Sequence, residues 1–214
     1  MPRYDSALLK SAQTAVSIVS AGELSHNMGS AAIRKEWKLA RLEALYELAY
    51  LRVFAAWEAY LEAIFYRSLC GFASRSGQEK LAAGNYFRKL EDAEAAVLKG
   101  RSYLLWHNPH GVIGRCQGYF VSATNGGGPC AQETAIASSL TRLEHFAATR
   151  HRIVHDQADA KAKFNGATLH LAARTYDGSR PGKFLRDFDT SKVPQQRWLE
   201  VLVTELGSLM AQMV

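Results

Sequence analysis

The sequence predicts an all-α protein: an antiparallel helix bundle with one long Gly-rich connection, folded as a single domain over residues 1–214. Three observations predict it. Apolar residues recur at steps of three and four in most segments, the spacing of one helix face. From Ala31 to Cys70 there is neither Gly nor Pro, the two residues that end helices most often. Residues 101–130, by contrast, are rich in Gly and aromatics and poor in helix signals. At 48% hydrophobic the chain is long and apolar enough to bury a core.

The elements follow in order. Ser6 to about His26 reads as a helix, capped by Asp5, with Leu8, Leu9, Ala12, Ala15, Val16 and Val19 on one side. "NMGS" breaks it. Ser30 caps a long helix over Ala31–Cys70, which Gly71 ends. Asn85 caps a shorter helix over Tyr86–Leu98, stopped by Gly100. The connection "WHNPHGVIGRCQGYFVSATNGGGPC" is expected to be loop with a short extended piece. Helical spacing returns over Gln132–His155 and again over Asp159–Arg174, the latter interrupted by Gly166. "TYDGSRPGKFLRDF" reads as loop, and Pro194 opens a last amphipathic helix through Trp198, Leu199, Leu202, Leu206 and Leu209.

Composition narrows the partners. The net charge of +6 and pI near 9.3 favour an anionic partner, nucleic acid first. Three cysteines without paired spacing suit a reducing cytosol, and the N-terminal residues carry no signal-peptide pattern, so a cytoplasmic location is expected. No apolar run is long enough to span a membrane, and no membrane partner is expected.

Two helices carry charge where a core residue belongs. Ile136, Leu140, Leu143, Ala147, Arg150 and Val154 share a face, so Arg150 points where a leucine would. A guanidinium cannot shed its proton, so burial demands a carboxylate, a phosphate or water. On the long helix, Leu51, Phe54, Glu58, Leu61 and Phe65 form a stripe with Glu58 at its centre. Glu58 and Arg150 are natural partners, either as a structural ion pair or at the border of an anion-binding cleft. His151 and His155 lie one turn apart on a further line of the Arg150 helix. In ideal geometry His155 is about 140° around the helix from Arg150, so one straight helix does not aim both at one point.

Other chemistries fit less well. His151 and His155 have the spacing of a zinc pair, but Arg152 follows His151 where a metalloprotease carries Glu, and the arginines repel a dication. His107, His110, Cys116 and Cys130 offer ligand types at irregular spacing. "NGGGP" at Asn125–Pro129 lacks the strand and the Lys-Ser or Lys-Thr of a phosphate loop. No metal and no cofactor is expected. "SRPGKFLRDF" sets Arg180, Lys183 and Arg186 around Phe184 and Phe188, a mix suited to backbone contact and base stacking, or to a surface loop with its phenylalanines turned inward.

"RHRIVH" resembles the R-φ-x-x-x-H signature of the HEPN superfamily, with φ as Asn, Asp or His: Arg150, then His151, then His155. The long helix with "AAWEAYLEAIF", the motif helix, "GKFLRDF" and "RWLEVL" are together similar to the ribonuclease-type HEPN families of bacterial defence and toxin systems. The architectural likeness covers most of the chain; the specific part is six residues. The resemblance implies an all-α bundle, often dimeric, in which the motifs of two protomers meet and cut RNA without metal. On this reading Arg150, His151 and His155 are expected as catalytic residues with Glu58 holding Arg150 in place, Arg152, Arg180, Lys183 and Arg186 are expected on RNA, and a cognate antitoxin or defence-system protein is a candidate partner. In toxins silenced by adenylylation a tyrosine lies two residues past the last histidine; this chain has Gln157. The rival expectations are a HEPN module that binds nucleotide, RNA or protein without cutting, and a helical interaction protein.

Overall fold

The computed structural model describes residues 4–73, 77–121 and 127–213. The fold is all-α, with ten α-helices among the described residues. They are α1 (Tyr4–Met28), α2 (Ala31–Glu36), α3 (Leu39–Leu69), α4 (Leu90–Leu98), α5 (Pro109–Tyr119), α6 (Ala131–Ser138), α7 (Leu140–Val154), α8 (Ala158–Ala172), α9 (Pro181–Arg186) and α10 (Trp198–Gln212). A 3₁₀ turn, Asp177–Ser179, precedes α9. A short antiparallel hairpin, β1 (Phe188–Asp189) with β2 (Gln196–Arg197), pairs Phe188 with Arg197. None of the described helices is long and apolar enough to cross a membrane.

The chain forms two compact units. The first holds Met1–Asp5, Trp57–Leu143 and Ser208–Val214; the second holds Ser6–Ala56 and Glu144–Gly207. In the first unit the core is aromatic. Phe65 is fully buried and meets Tyr66, Trp106, Tyr119 and Phe120 at ring-centroid distances of 5.4–5.9 Å. Tyr60 donates its hydroxyl to the Met210 carbonyl at 3.2 Å, and Gln132 donates to the Leu61 carbonyl at 3.0 Å. The second unit packs Leu8, Ala15 and Val19 of α1, Tyr46, Tyr50 and Phe54 of α3, Phe146 of α7, Phe164 of α8, and Trp198, Leu202 and Leu206 of α10. Phe184 of α9 is wholly buried, with Trp198 stacked on it at 5.2 Å and Phe164 and Tyr176 edge-on.

Several element bounds differ from the sequence expectation, each for a local reason. Asp5 lies inside the first turn of α1 and favours the helix dipole from there. The long helix is cut into α2 and α3 at Trp37, whose carbonyl oxygen is held 2.5 Å from His26 Nδ1 and so leaves the helical ladder. Ser30 does cap, accepting from Ile33 N at 3.4 Å. Asn85 is no cap; its amide donates to the carbonyls of Gly118 and Tyr119, and α4 starts at Leu90. The Gly-rich connection is not all loop, because α5 lies within it. Asn108 accepts from Gly111 N at 3.2 Å and Pro109 occupies the first position, a start signal hidden among glycines. The stretch Gln132–His155 breaks at Ser139 into α6 and α7. "PGKFLR" is helical, opened by Pro181. Pro194 lies between β1 and β2, and α10 begins at Trp198. The "NGGG" of Asn125–Gly128 falls partly outside the described residues.

Candidate functional site

The motif ends α7. Tyr50 donates its hydroxyl to the Phe146 carbonyl at 2.7 Å, fixing α7 against α3 within the second unit. The buried face of α7 there is Phe146 and Thr149, both fully buried; Arg150 is half-buried and Val154 exposed. The core stripe is therefore turned by one residue from the expected one. Thr149 is the polar group inside it, and its hydroxyl is satisfied by the His145 carbonyl at 3.1 Å. Arg150 sits at the edge of that face, half-buried.

His151 and His155 come together. Their ring centroids are 4.6 Å apart, and His155 N donates to the His151 carbonyl at 2.9 Å as the helix ends. Both are half-buried. Desolvation holds the His151 imidazole below its ordinary pKa of 6.5; the charges of His155, Lys163 and Arg150 push the same way, against Asp159. His151 is thus biased towards the neutral form, which can accept a proton.

Arg152 closes the turn. Its Nε donates to Ser179 O at 3.0 Å, its Nη1 to His155 O at 3.1 Å, and it pairs with Asp156 at 3.0 Å. With its side chain 14% exposed, this arginine is a clamp on the motif's last turn and on the 3₁₀ turn. Three acceptors thus engage a guanidinium that offers five N–H donors.

Glu58 belongs to the first unit, where His107 Nδ1 donates to it at 3.4 Å. Trp106 beside it donates to Glu62 at 2.9 Å. The mixed set His107, His110, Cys116 and Cys130 is not a cluster of ligands: among the described residues no group of three or more His, Cys, Asp or Glu could hold a metal ion. Cys116 and Cys130 are instead buried free thiols, Cys116 donating to Gln132 Oε1 at 3.9 Å and Cys130 accepting from Glu133 N at 3.4 Å.

The three other basic residues expected at RNA lie around α9. Arg180 reaches Glu43 at 3.4 Å, Lys183 reaches Asp177 at 3.7 Å, and Arg186 grips Glu23 through Nε at 2.7 Å and Nη2 at 3.2 Å. Glu23 also takes Arg197 at 3.4 Å and the Tyr46 hydroxyl at 3.2 Å. Burial raises the Glu23 pKa, but the Arg186 bond and the two positive charges outweigh it, so the carboxyl stays ionised. Lys183 and Arg186 line a cavity of about 460 Å³ with Arg174, Tyr176, Asp187 and Arg197, residues that sequence reasoning did not single out. Tyr176 and Asp187 fall in the segment expected to be loop, whereas Arg174 and Arg197 fall in segments expected to be helical. His145 and His170, with rings 4.6 Å apart, likewise escaped notice, since they sit on different helices.

No family model, curated protein or solved structure matches the chain.

Proposed function

We propose that the chain is a metal-independent endoribonuclease of HEPN type, in the toxin or antiviral-defence setting that the resemblance implies. The observation that carries the reading is the pairing of the half-buried His151 and His155, ring centroids 4.6 Å apart, one and five residues on from the edge-placed Arg150.

These groups suit cleavage by the RNA's own 2′-hydroxyl. That oxygen already lies beside the phosphorus and needs deprotonation and a positioned phosphate. His155 acts as general acid or base, the role imidazole takes most often in proton transfer. His151, held towards its neutral form, orients the substrate or shares the proton transfer. Arg150 stabilises the charge that builds on the phosphoryl oxygens. Arg152 acts indirectly, holding the backbone of His155 in place.

The bond that forms is 2′-oxygen to phosphorus, and the one that breaks is phosphorus to the 5′-oxygen of the next residue. One proton leaves the 2′-hydroxyl and one goes to the leaving oxygen. The products are a 2′,3′-cyclic phosphate and a 5′-hydroxyl. The test is mass spectrometry of fragments from a defined RNA, run with and without excess EDTA. Chelator-resistant cleavage with cyclic phosphate ends, stopped by a 2′-O-methyl group at the cut site, is the expected result. Chelator-sensitive cutting of DNA and RNA alike overturns it.

A further inference from the structure

We propose that the α9 cavity is a binding site for a nucleoside monophosphate unit, with the base against Phe188 and the phosphate between Lys183 and Arg174. It lies wholly in the second unit, and its lining residues come from residues 174–177, α9 and the following Asp187, the hairpin, and Glu43 of α3. At about 460 Å³ it is within the range of small-ligand sites.

The cations in it divide into two kinds. Arg186 and Arg197 are fixed: both hold Glu23, and Arg197 also donates to the Arg186 carbonyl. They give the floor a rigid, permanently paired base. Lys183 and Arg174 are the more exposed pair. Lys183 is 42% exposed, and its partner Asp177 is 98% exposed at a distance of 3.7 Å, a contact that a phosphate oxygen readily replaces. Arg174 is 57% exposed; it pairs with Asp187, donates Nε to the Tyr176 hydroxyl at 3.3 Å and lies over that ring, and Asp187 keeps the Tyr176 hydroxyl at 2.6 Å if the guanidinium turns to an anion. Asp187 and Glu43 keep other partners on the protein and Asp177, 98% exposed, is open to water, so the two exposed cations are those an anion can recruit.

The aromatic half is Phe188. The residue is 41% exposed, and the Arg197 guanidinium covers one face of its ring at 4.5 Å from the centroid. A ring braced from one side and open elsewhere is a stacking platform. A carboxylate or inorganic anion alone leaves it unused, and a plain apolar ligand leaves the cations unused. A planar base carrying a phosphate uses both.

Such a unit reaches the site either as a free nucleotide or as one residue of an RNA strand; only the second source rests on the ribonuclease reading. Calorimetry of the whole chain with 5′-AMP, adenosine and inorganic phosphate tests the site. AMP is expected to bind more tightly than either fragment, and Lys183→Gln and Phe188→Leu are each expected to weaken it about tenfold. Both variants change exposed side chains, so their melting temperatures should match wild type and keep the comparison interpretable. No AMP binding at about 1 mM, or equal binding by wild type and both variants, overturns the proposal. Competition between a fluorescent AMP and a short single-stranded RNA, run on His155→Ala, separates the sources: displacement assigns a strand residue, simultaneous binding a free nucleotide. AMP binding by a chain that never cuts RNA refutes only the nuclease reading. Cutting without AMP binding refutes only this one.

Discussion

His151 and Arg150 are the residues on which the proposed chemistry turns, and they make separable predictions. Arg150→Ala and His155→Ala are each expected to reduce RNA cleavage to background while far-UV circular dichroism stays helical, because both side chains sit at the edge of α7 and neither fills the core. Melting of the helical signal together with activity would instead make the motif structural. His151 adds a pH effect whose sign follows from its lowered pKa. The folded state resists protonating His151, so between its depressed pKa and 6.5 the unfolded chain binds more protons. The stabilising contribution is complete above pH 6.5 and is lost as pH falls through the folded pKa. Urea midpoints are therefore expected to fall less on acidification from neutral pH in His151→Asn than in wild type. Identical slopes would show that His151 is not the group responsible. The motif itself was plain in the sequence, whereas the role of Arg152 was not. Its three acceptors include Ser179, far along the chain, and no local spacing announces such a contact.

Among the elements, α9 carries the most information per residue. "PGKFLR" looked like loop because Pro and Gly open it, yet Pro181 is at home at the first helical position and Phe184 anchors the turn in an aromatic cluster. Gly182 has a stricter reason. A Cβ there would lie 2.3 Å from the Glu43 carbonyl oxygen, so α9 can approach α3 this closely only without a side chain. Gly182 N also donates to Glu47 at 2.9 Å, in a place where burial first, and then Glu43, raise the Glu47 pKa against the bond itself. Gly182→Ala must push α9 away and stretch that bond. Overpacking of this kind typically costs about 1–3 kcal/mol. A lowered urea midpoint is the expected outcome, with weaker AMP binding in the cavity that α9 helps to line. Wild-type stability in the alanine variant would mean that α9 does not need its close approach to Glu43. The same logic explains which bounds were legible. Ser30 capping and the Gly100 stop use local chemistry and were readable. The break at Trp37 depends on His26 of another helix and was not.

At the level of the whole molecule, the all-α class was legible because helical spacing and long Gly- and Pro-free runs are properties of the chain alone. Assembly is the part that sequence pattern reaches only through geometry. Arg150 and His155 are five residues apart, about 140° around an ideal helix, and His155 lies just past the last residue of α7. A two-fold pairing of protomers removes the difficulty if one chain's arginine and the other's histidine serve one phosphate. That arrangement has a consequence that no single-chain site shares. Arg150→Ala protein still offers His155, and His155→Ala protein still offers Arg150. Mixing the two inactive variants under conditions that exchange subunits produces heterodimers with one intact Arg150–His155 pair. With random exchange, half the dimers are mixed and each has one of two sites, so about a quarter of wild-type activity is expected to return. Light scattering of the wild type should report a dimer at micromolar concentration. A mixture as inactive as its parents, although exchange is verified by mass spectrometry, would sink the shared site and leave both groups to act within one chain.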